Sequence, residues 1–365
     1  MSADITLPWT EADLSDSPAD ERAATLEELL AVDRQRRFDV AVAPLLRFTL
    51  VRYADDDHRL VLTNHHLLLD GWSTAVLVKD LLDLYGPADD LGPAASYHGY
   101  QRWIAGRDRA AAAGVARGAR RPSRSDARRP GRGDPVRRGP RAAECVPRRG
   151  TDGIARRVAR ANGLTLNTVL QGAWAVVLGA LTGRDDVVFG STVSGRPAEL
   201  PDADGLVGLF INTMPVRARL RPATPFTALL GEINGFQSGL LDHHHVSLRE
   251  VQREVGGELF DTLMVFENYP RDLATMRTPD GEVRVASADG RDTTNYPLVL
   301  TAIPGDRLRL RLAHQPSVIS EDRAEQILSR LQALLASVVR TPEMPVGRIE
   351  LLTPAERKPS SCGAT

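Results

Sequence analysis

Thr63-Asn64-His65-His66-Leu67-Leu68-Leu69-Asp70-Gly71-Trp72-Ser73 is the stretch from which the rest of the chain can be read. Two runs rich in branched apolar residues, Pro44 to Val51 and His58 to Asn64, precede it. Asp55-Asp56-Asp57 separates them, a turn composition that predicts an antiparallel hairpin whose second strand runs into the histidine pair. On an extended strand, adjacent side chains face opposite sides. His66 then shares a face with Asn64, Leu62 and Leu60, and His65 with Thr63 and Val61, so only one imidazole serves a given cavity. After Gly71, Ser73 is placed to cap a helix carrying Val76, Leu77, Leu81 and Leu84, which Gly86-Pro87 ends. The motif is therefore expected at a strand-to-helix junction.

Such a junction suits general acid–base chemistry. An imidazole titrates near neutrality, so a positioned neutral His takes a proton from an attacking amine or hydroxyl, or donates a hydrogen bond as charge develops. Asp70 turns back to fix the loop, and Gly71 permits close backbone approach. A metal site is the rival reading, since His65, His66, Asp70 and the run His243-His244-His245 contain ligand chemistry. Divergent neighbouring side chains and the lack of HExxH argue against it, so no metal is expected. The His triplet reads as a loop or helix cap.

Outward from the motif, the first 45 residues read as a loop and then a helix from Asp20 to Arg36. Past residue 150, helices are expected through Ile154 and Val158 and from Asn167 to Leu181, the latter with Leu170, Trp174, Val177, Leu178 and Leu181 on one side. A strand from Asp186 to Ser194 leads into Gly195-Arg196-Pro197. Leu206 to Arg217 reads as strand-like, with a helix after Thr224-Pro225, a short helix from Ser247 and a strand from Phe260 to Glu267. Further strands are predicted at Val283 to Ala286, Pro297 to Ile303 and Leu308 to His314, and Ser320 caps a final amphipathic helix. Interleaved strands and helices mean a mixed α/β (α+β) class. With 365 residues and 42% apolar content, two lobes are expected.

The formal net charge of −1 hides an asymmetry. Thirteen arginines stand between Arg109 and Gly150 against Asp126, Asp134 and Glu144, leaving an acidic remainder unsuited to nucleic acid. Residues 110 to 150 contain no Leu, Ile, Met, Phe, Tyr or Trp and are expected to be disordered, as a genuine insertion or through a local reading-frame error. Cys145 and Cys362 support neither a disulfide framework nor a cysteine metal site, which suits a reducing cytoplasm. No stretch approaches the roughly 18 apolar residues of a membrane span, so no membrane partner is expected.

The run His65-His66-Leu67-Leu68-Leu69-Asp70-Gly71-Trp72-Ser73 resembles the HHxxxDGWS signature of nonribosomal peptide synthetase condensation domains, of the chloramphenicol acetyltransferase-like superfamily. Its companions occur in the family's order: Gly195-Arg196-Pro197 is similar to a GRP turn, Leu206 to Thr213 to VGxFxNT, and Phe260 to Pro270 to a strand ending in ENYP. Phe38-Asp39-Val40 with Pro44-Leu45-Leu46-Arg47, and Leu351 to Arg357, extend the likeness.

The resemblance implies two chloramphenicol-acetyltransferase-like lobes in a V, with a tunnel between them. It implies amide formation between a donor acyl or peptidyl thioester and an acceptor aminoacyl thioester, both on carrier proteins. His66 is then the catalytic residue, with His65, Asp70 and Gly71 completing the loop. Trp72, Ser73, Asn212 and Asn268 are substrate-binding candidates, and Arg196 is the candidate structural partner of Asp70. No cofactor is bound by the domain itself; phosphopantetheine arrives on donor and acceptor peptidyl carrier proteins, and an adenylation domain is the expected neighbour. The family's SxAQxRxW helix and RHxxLRTxF strand would stand before residue 5, so the N-terminal lobe, 1–109, is expected to be incomplete and its activity impaired. A C-terminal lobe at 151–344 and a linker at 345–365 follow. Epimerisation domains, which share HHxxxDG, and a catalytically dead carrier-binding module are the alternatives.

Overall fold

The computed structural model describes residues 5–86, 91–92, 95–107, 111–120, 141–145, 147, 151–197, 199–268, 276–288, 290 and 295–351. The chain divides into two compact units, one formed by residues 1–102, 196–210 and 269–288, the other by 103–195, 211–268 and 289–365. The 151–344 lobe expected from the sequence is thus interrupted twice by segments that belong to the first unit.

In the first unit, β1 (Trp9–Asp13) lies parallel to β2 (Leu46–Arg52), which pairs antiparallel with β3 (His58–Asn64). The hairpin has the expected ends, and Phe48 sits opposite Leu62. β1 is a strand where a loop was expected. Its side chains are nearly all exposed, so it lacks the alternation that marks a half-buried strand. Helix α1 (Ala19–Gln35) is tied to the hairpin chiefly by polar bonds: Asp33 receives Arg47 Nε at 2.5 Å and Thr63 Oγ1 at 2.7 Å. Arg47 also covers the Phe38 ring at 4.4 Å. The apolar nucleus is small, formed by Leu14, Leu26 and Val51. Helix α2 (Gly71–Tyr85) follows the motif, and the boundary between the units falls within α3 (Tyr97–Ala105).

The second unit holds the main core. Its six strands run in the order β4-β9-β8-β7-β5-β6, comprising β4 (Arg141–Cys145), β5 (Asp186–Ser194), β6 (Ile211–Arg219), β7 (Thr262–Phe266), β8 (Leu298–Ile303) and β9 (Arg309–His314). β7 is parallel to both β5 and β8; the remaining pairs are antiparallel. Around the sheet stand α4 (Ala111–Ala119), α5 (Thr151–Ala161), α6 (Leu166–Thr182), α7 (Phe226–Ser238), α8 (Leu248–Val255) and α9 (Glu321–Val338). Thr165, Ser247 and Ser320 cap α6, α8 and α9 through their side-chain oxygens. Helix α6 is buried on nearly every side from Leu166 to Gly179 rather than along one stripe, as befits a central helix. Trp174, Phe189, Phe226 and Leu300 are fully enclosed around it.

Three further expectations are corrected. Residues 110–150 are not uniformly without order: α4 and β4 stand near their two ends, while 121–140 lie outside the described residues. Small side chains suffice there, because Ala112, Val115, Ala116 and Ala119 recur as buried residues on one helical face, and the first three pack against Met214, Leu240 and Val251. Val283 to Ala286 forms no named strand, only a bridge between Arg277 and Arg284 closing a tight turn. The segment expected as linker from residue 345 is initially part of the body: Val346 N–H donates to Thr224 O at 2.9 Å, and Val346 and Ile349 are buried. Residues 352–365 lie outside the described residues.

Truncating Phe189 to Ala should lower the unfolding free energy by about 3–5 kcal/mol, read from urea denaturation, because the β5 site is fully enclosed and cannot collapse. A loss under about 1 kcal/mol would contradict that packing.

Candidate functional site

β3 stops at Asn64, one residue short of the histidines, so the strand-face argument does not apply to them. His65 N–H still reaches Leu45 O at 2.8 Å, but the next residue back is Pro44, which has no N–H to continue a ladder. The chain turns instead. Leu68 N–H donates to His65 O at 2.9 Å and Leu67 N–H donates to His65 Nδ1 at 3.1 Å. An imidazole that accepts at Nδ1 carries its proton on Nε2 when neutral. His65 is half-buried with its ring edge toward Phe38, and its nitrogen helps build the turn. His66, at the turn's outer position, is exposed and makes no hydrogen bond to any described residue. Buried Leu69 then anchors the return of the chain.

Asp70, rather than Ser73, caps α2. Its Oδ1 accepts Ser73 N–H at 2.8 Å, and its Oδ2 accepts Phe210 N–H at 2.9 Å. Arg196 Nη2 stands 3.6 Å from Oδ1, with side chains only 5% and 1% exposed for Arg196 and Asp70. The Ser73 hydroxyl donates to Gly208 O at 2.6 Å and accepts from Gly208 N at 3.0 Å and Arg196 Nη2 at 2.8 Å. Trp72 Nε1 donates to Asp204 O at 2.9 Å. Three motif positions thereby grip the backbone of residues 204–210. This explains why Leu206 to Phe210, read as strand from their apolar side chains, are irregular: their burial comes from this grip, and β6 begins only at Ile211.

Arg196 also donates to the carbonyls of Ala203 and, at 3.0 Å, Leu206, and its guanidinium covers the Phe210 ring at 4.0 Å. Burial pulls its pKa down, opposed by the charge of Asp70. Sequence reasoning missed Tyr97 and Tyr100, whose rings pack on Phe210 with centroids 5.3 and 4.4 Å away. Their i,i+3 spacing in a predominantly polar helix was the available signal. Tyr97 OH donates to Leu209 O at 2.5 Å, and its ring lies where any side chain on Gly208 would have to go. Burial, then the neighbouring Tyr97 and Asp70, pushes the Tyr100 phenol up to about 12.

Asn212 and Asn268 belong to the second unit. The Asn212 amide donates to the carbonyls of His244 at 2.7 Å and Val246 at 2.6 Å, so both hydrogens are committed to backbone and the residue pins the His triplet's turn. Burial lowers the pKa of both His244 and His245. Asn268 is exposed just beyond β7; Tyr269 and Pro270, which complete the ENYP run, lie outside the described residues.

Compared with known proteins, the sequence matches the family described as Condensation domain over residues 2–114 and 148–359. Chondramide synthase cmdD of Chondromyces crocatus is 32% identical over 98% of this chain, and vanchrobactin synthetase VabF of Vibrio anguillarum 31% over 94%. The chain spans only 9% and 12% of those relatives. Among solved structures, a four-domain nonribosomal peptide synthetase bound to AMP and glycine superposes with a TM-score of 0.78 at 16% identity, over 96% of this chain and 28% of that one. The first condensation domain of the calcium-dependent antibiotic synthetase, in complex with a substrate analogue, gives 0.71 at 22% identity, over 96% and 79%. At these identities the structures speak to fold alone.

Two outcomes are expected of the clasp. Ser73→Ala should cost about 1–3 kcal/mol in unfolding free energy, since it removes the hydroxyl that bonds both the N–H and the carbonyl of Gly208 and one prong of Arg196. The Tyr100 phenol is neutral below about pH 10 in folded and unfolded chains alike. Its raised folded pKa means stability is lost as pH climbs from about 10 to 12, a slope that Tyr100→Phe should flatten. Denaturation midpoints measured across that interval check the sign.

Proposed function

The chain belongs to the condensation-domain family, and on that premise we propose that it joins a donor acyl or peptidyl thioester to an acceptor amine, both delivered on phosphopantetheine arms of peptidyl carrier proteins. The acceptor nitrogen attacks the thioester carbonyl, a C–N bond forms, the C–S bond breaks, and the donor arm leaves as a thiol. One proton must leave the nitrogen.

What carries this reading is the exposed, unbonded imidazole of His66 on a turn held at both ends, by His65 before it and by buried Leu69 and Asp70 after it. A free ring nitrogen on a fixed backbone costs little reorganisation when it accepts the amine proton or donates to the tetrahedral oxygen. Positioning of two tethered reactants supplies the larger share of the acceleration. Asp70, Ser73 and Arg196 act through the backbone they hold, and Trp72 through its bond to Asp204, so their part is to keep the turn where it is. An adenylation domain, which loads carriers, is the proposed neighbour in a longer synthetase, and the work belongs to the cytoplasm.

The test is an amide-forming assay with two loaded carrier proteins. His66→Ala is expected to slow product formation by about 10²–10⁴-fold while leaving the unfolding midpoint in place, because the ring is exposed and bonded to nothing described. An unchanged rate in His66→Ala would refute the assignment.

A further inference from the structure

Entirely within the second unit, α4, β6 and α8 line an open cavity of about 440 Å³ that includes no residue of the histidine turn. Its floor is the alanine face of α4, Ala113 and Ala116, and its walls carry Arg117 and Arg120 from α4 and Arg217 and Arg219 from β6. Glu254 of α8 stands at the rim. The arrangement follows from how α4 is seated. Ala112, Val115, Ala116 and Ala119 bury one side of the helix, and Gly118 lets it approach Phe236 so closely that an added Cβ would stand 2.8 Å from the ring. The arginines on the remaining surface are then directed alongside those at the end of β6.

Two of the four guanidinium groups are already engaged. Arg217 makes a two-pronged pair with Asp186, at 3.0 and 2.7 Å, and reaches Gly118 O at 3.3 Å. Arg120 donates to the backbone carbonyl of Glu254 at 2.9 Å, which neutralises no charge. Arg117 and Arg219 are exposed, and their guanidinium groups have no hydrogen-bond or ion-pair partner among the described residues. Four positive groups set against Asp186 and Glu254 leave an uncompensated excess of two around one concavity. Like charges held within a Debye length repel, and an anion between them removes that cost.

We propose that this cavity is a binding site for a multiply charged phosphate, an oligophosphate or the oligophosphate group of a phosphate ester. Guanidinium forks match the oxygens of phosphate two at a time, which favours that anion over a halide or a single carboxylate. The volume falls within the roughly 300–1,000 Å³ of small-molecule sites, room for more than one phosphate group. The alanine floor offers no competing donors, so recognition comes from the walls. Glu254 opposes the bound anion and limits its affinity.

Isothermal titration of the full chain with tripolyphosphate, and separately with adenosine diphosphate, tests the site at low ionic strength. One equivalent of each is expected to bind; tighter binding of the nucleotide would show that the ester form is preferred, tighter tripolyphosphate the bare one. Arg117→Ala and Arg219→Ala should each weaken binding about tenfold without moving the unfolding midpoint, because neither side chain holds the fold. Glu254→Gln should strengthen it severalfold, and raising salt toward about 1 M should abolish it. Absence of heat with both anions overturns the proposal. So does binding of equal strength in all three variants, which would trace the affinity to the other arginines of the chain.

Discussion

A buried carboxylate has to have its oxygens satisfied from within the protein, and at Asp70 that requirement organises a whole region. One oxygen starts α2 through Ser73 N–H; the other receives Phe210 N–H from 140 residues further along the chain. Arg196 supplies the opposite charge from a third place in sequence. The turn carrying His66, the first residues of α2 and the 196–210 segment are therefore placed together or not at all. Breaking such a pair on one side leaves a charge stranded away from water, a cost of about 3–5 kcal/mol.

The two units reach their stability by different means. The second encloses an apolar interior in which α6 is wrapped by the sheet, α7 and α9, and within it the buried Gln171 amide donates to the Ser191 hydroxyl. The first packs a small cluster of Leu14, Leu26 and Val51 among its described residues and adds directed bonds, Asp33 with Arg47 and Thr63 on one side and the Asp70 cluster on the other. At Asp33 burial works against ionisation, but the bonds from Arg47 and Thr63 prevail and hold the carboxyl below its usual range. Directed bonds demand geometry, which suits a unit whose task is to hold one ring nitrogen in place.

Much of this was readable in the residues. The hairpin, the helix starts at Ser247 and Ser320, β5 and the strands of the second sheet other than β4 follow from alternation, caps and turn composition, all of them local signals. Arg196 could be paired with Asp70 through resemblance. What local pattern could not supply was anything decided by a distant partner. The irregular Leu206–Phe210 run looked like strand because its burial was visible and its cause, Asp70 with Ser73 and Tyr97, was not. α4 was missed for the converse reason: its composition is too poor to build a core, yet a helix laid on the ready surface of Met214, Leu240 and Val251 needs only methyl groups to join one.

The indole of Trp72 lies partly buried with its N–H on Asp204 O and the Arg196 guanidinium 5.3 Å from its ring. Trp174 is sealed in the second unit's interior, and Trp9 is open to water. The emission of Trp72 is therefore tuned by a carbonyl dipole and a cation, both of which withdraw if the 196–210 segment lets go. The molecule carries an optical reporter beside the histidine turn, and slackening there shifts the Trp72 share of its fluorescence.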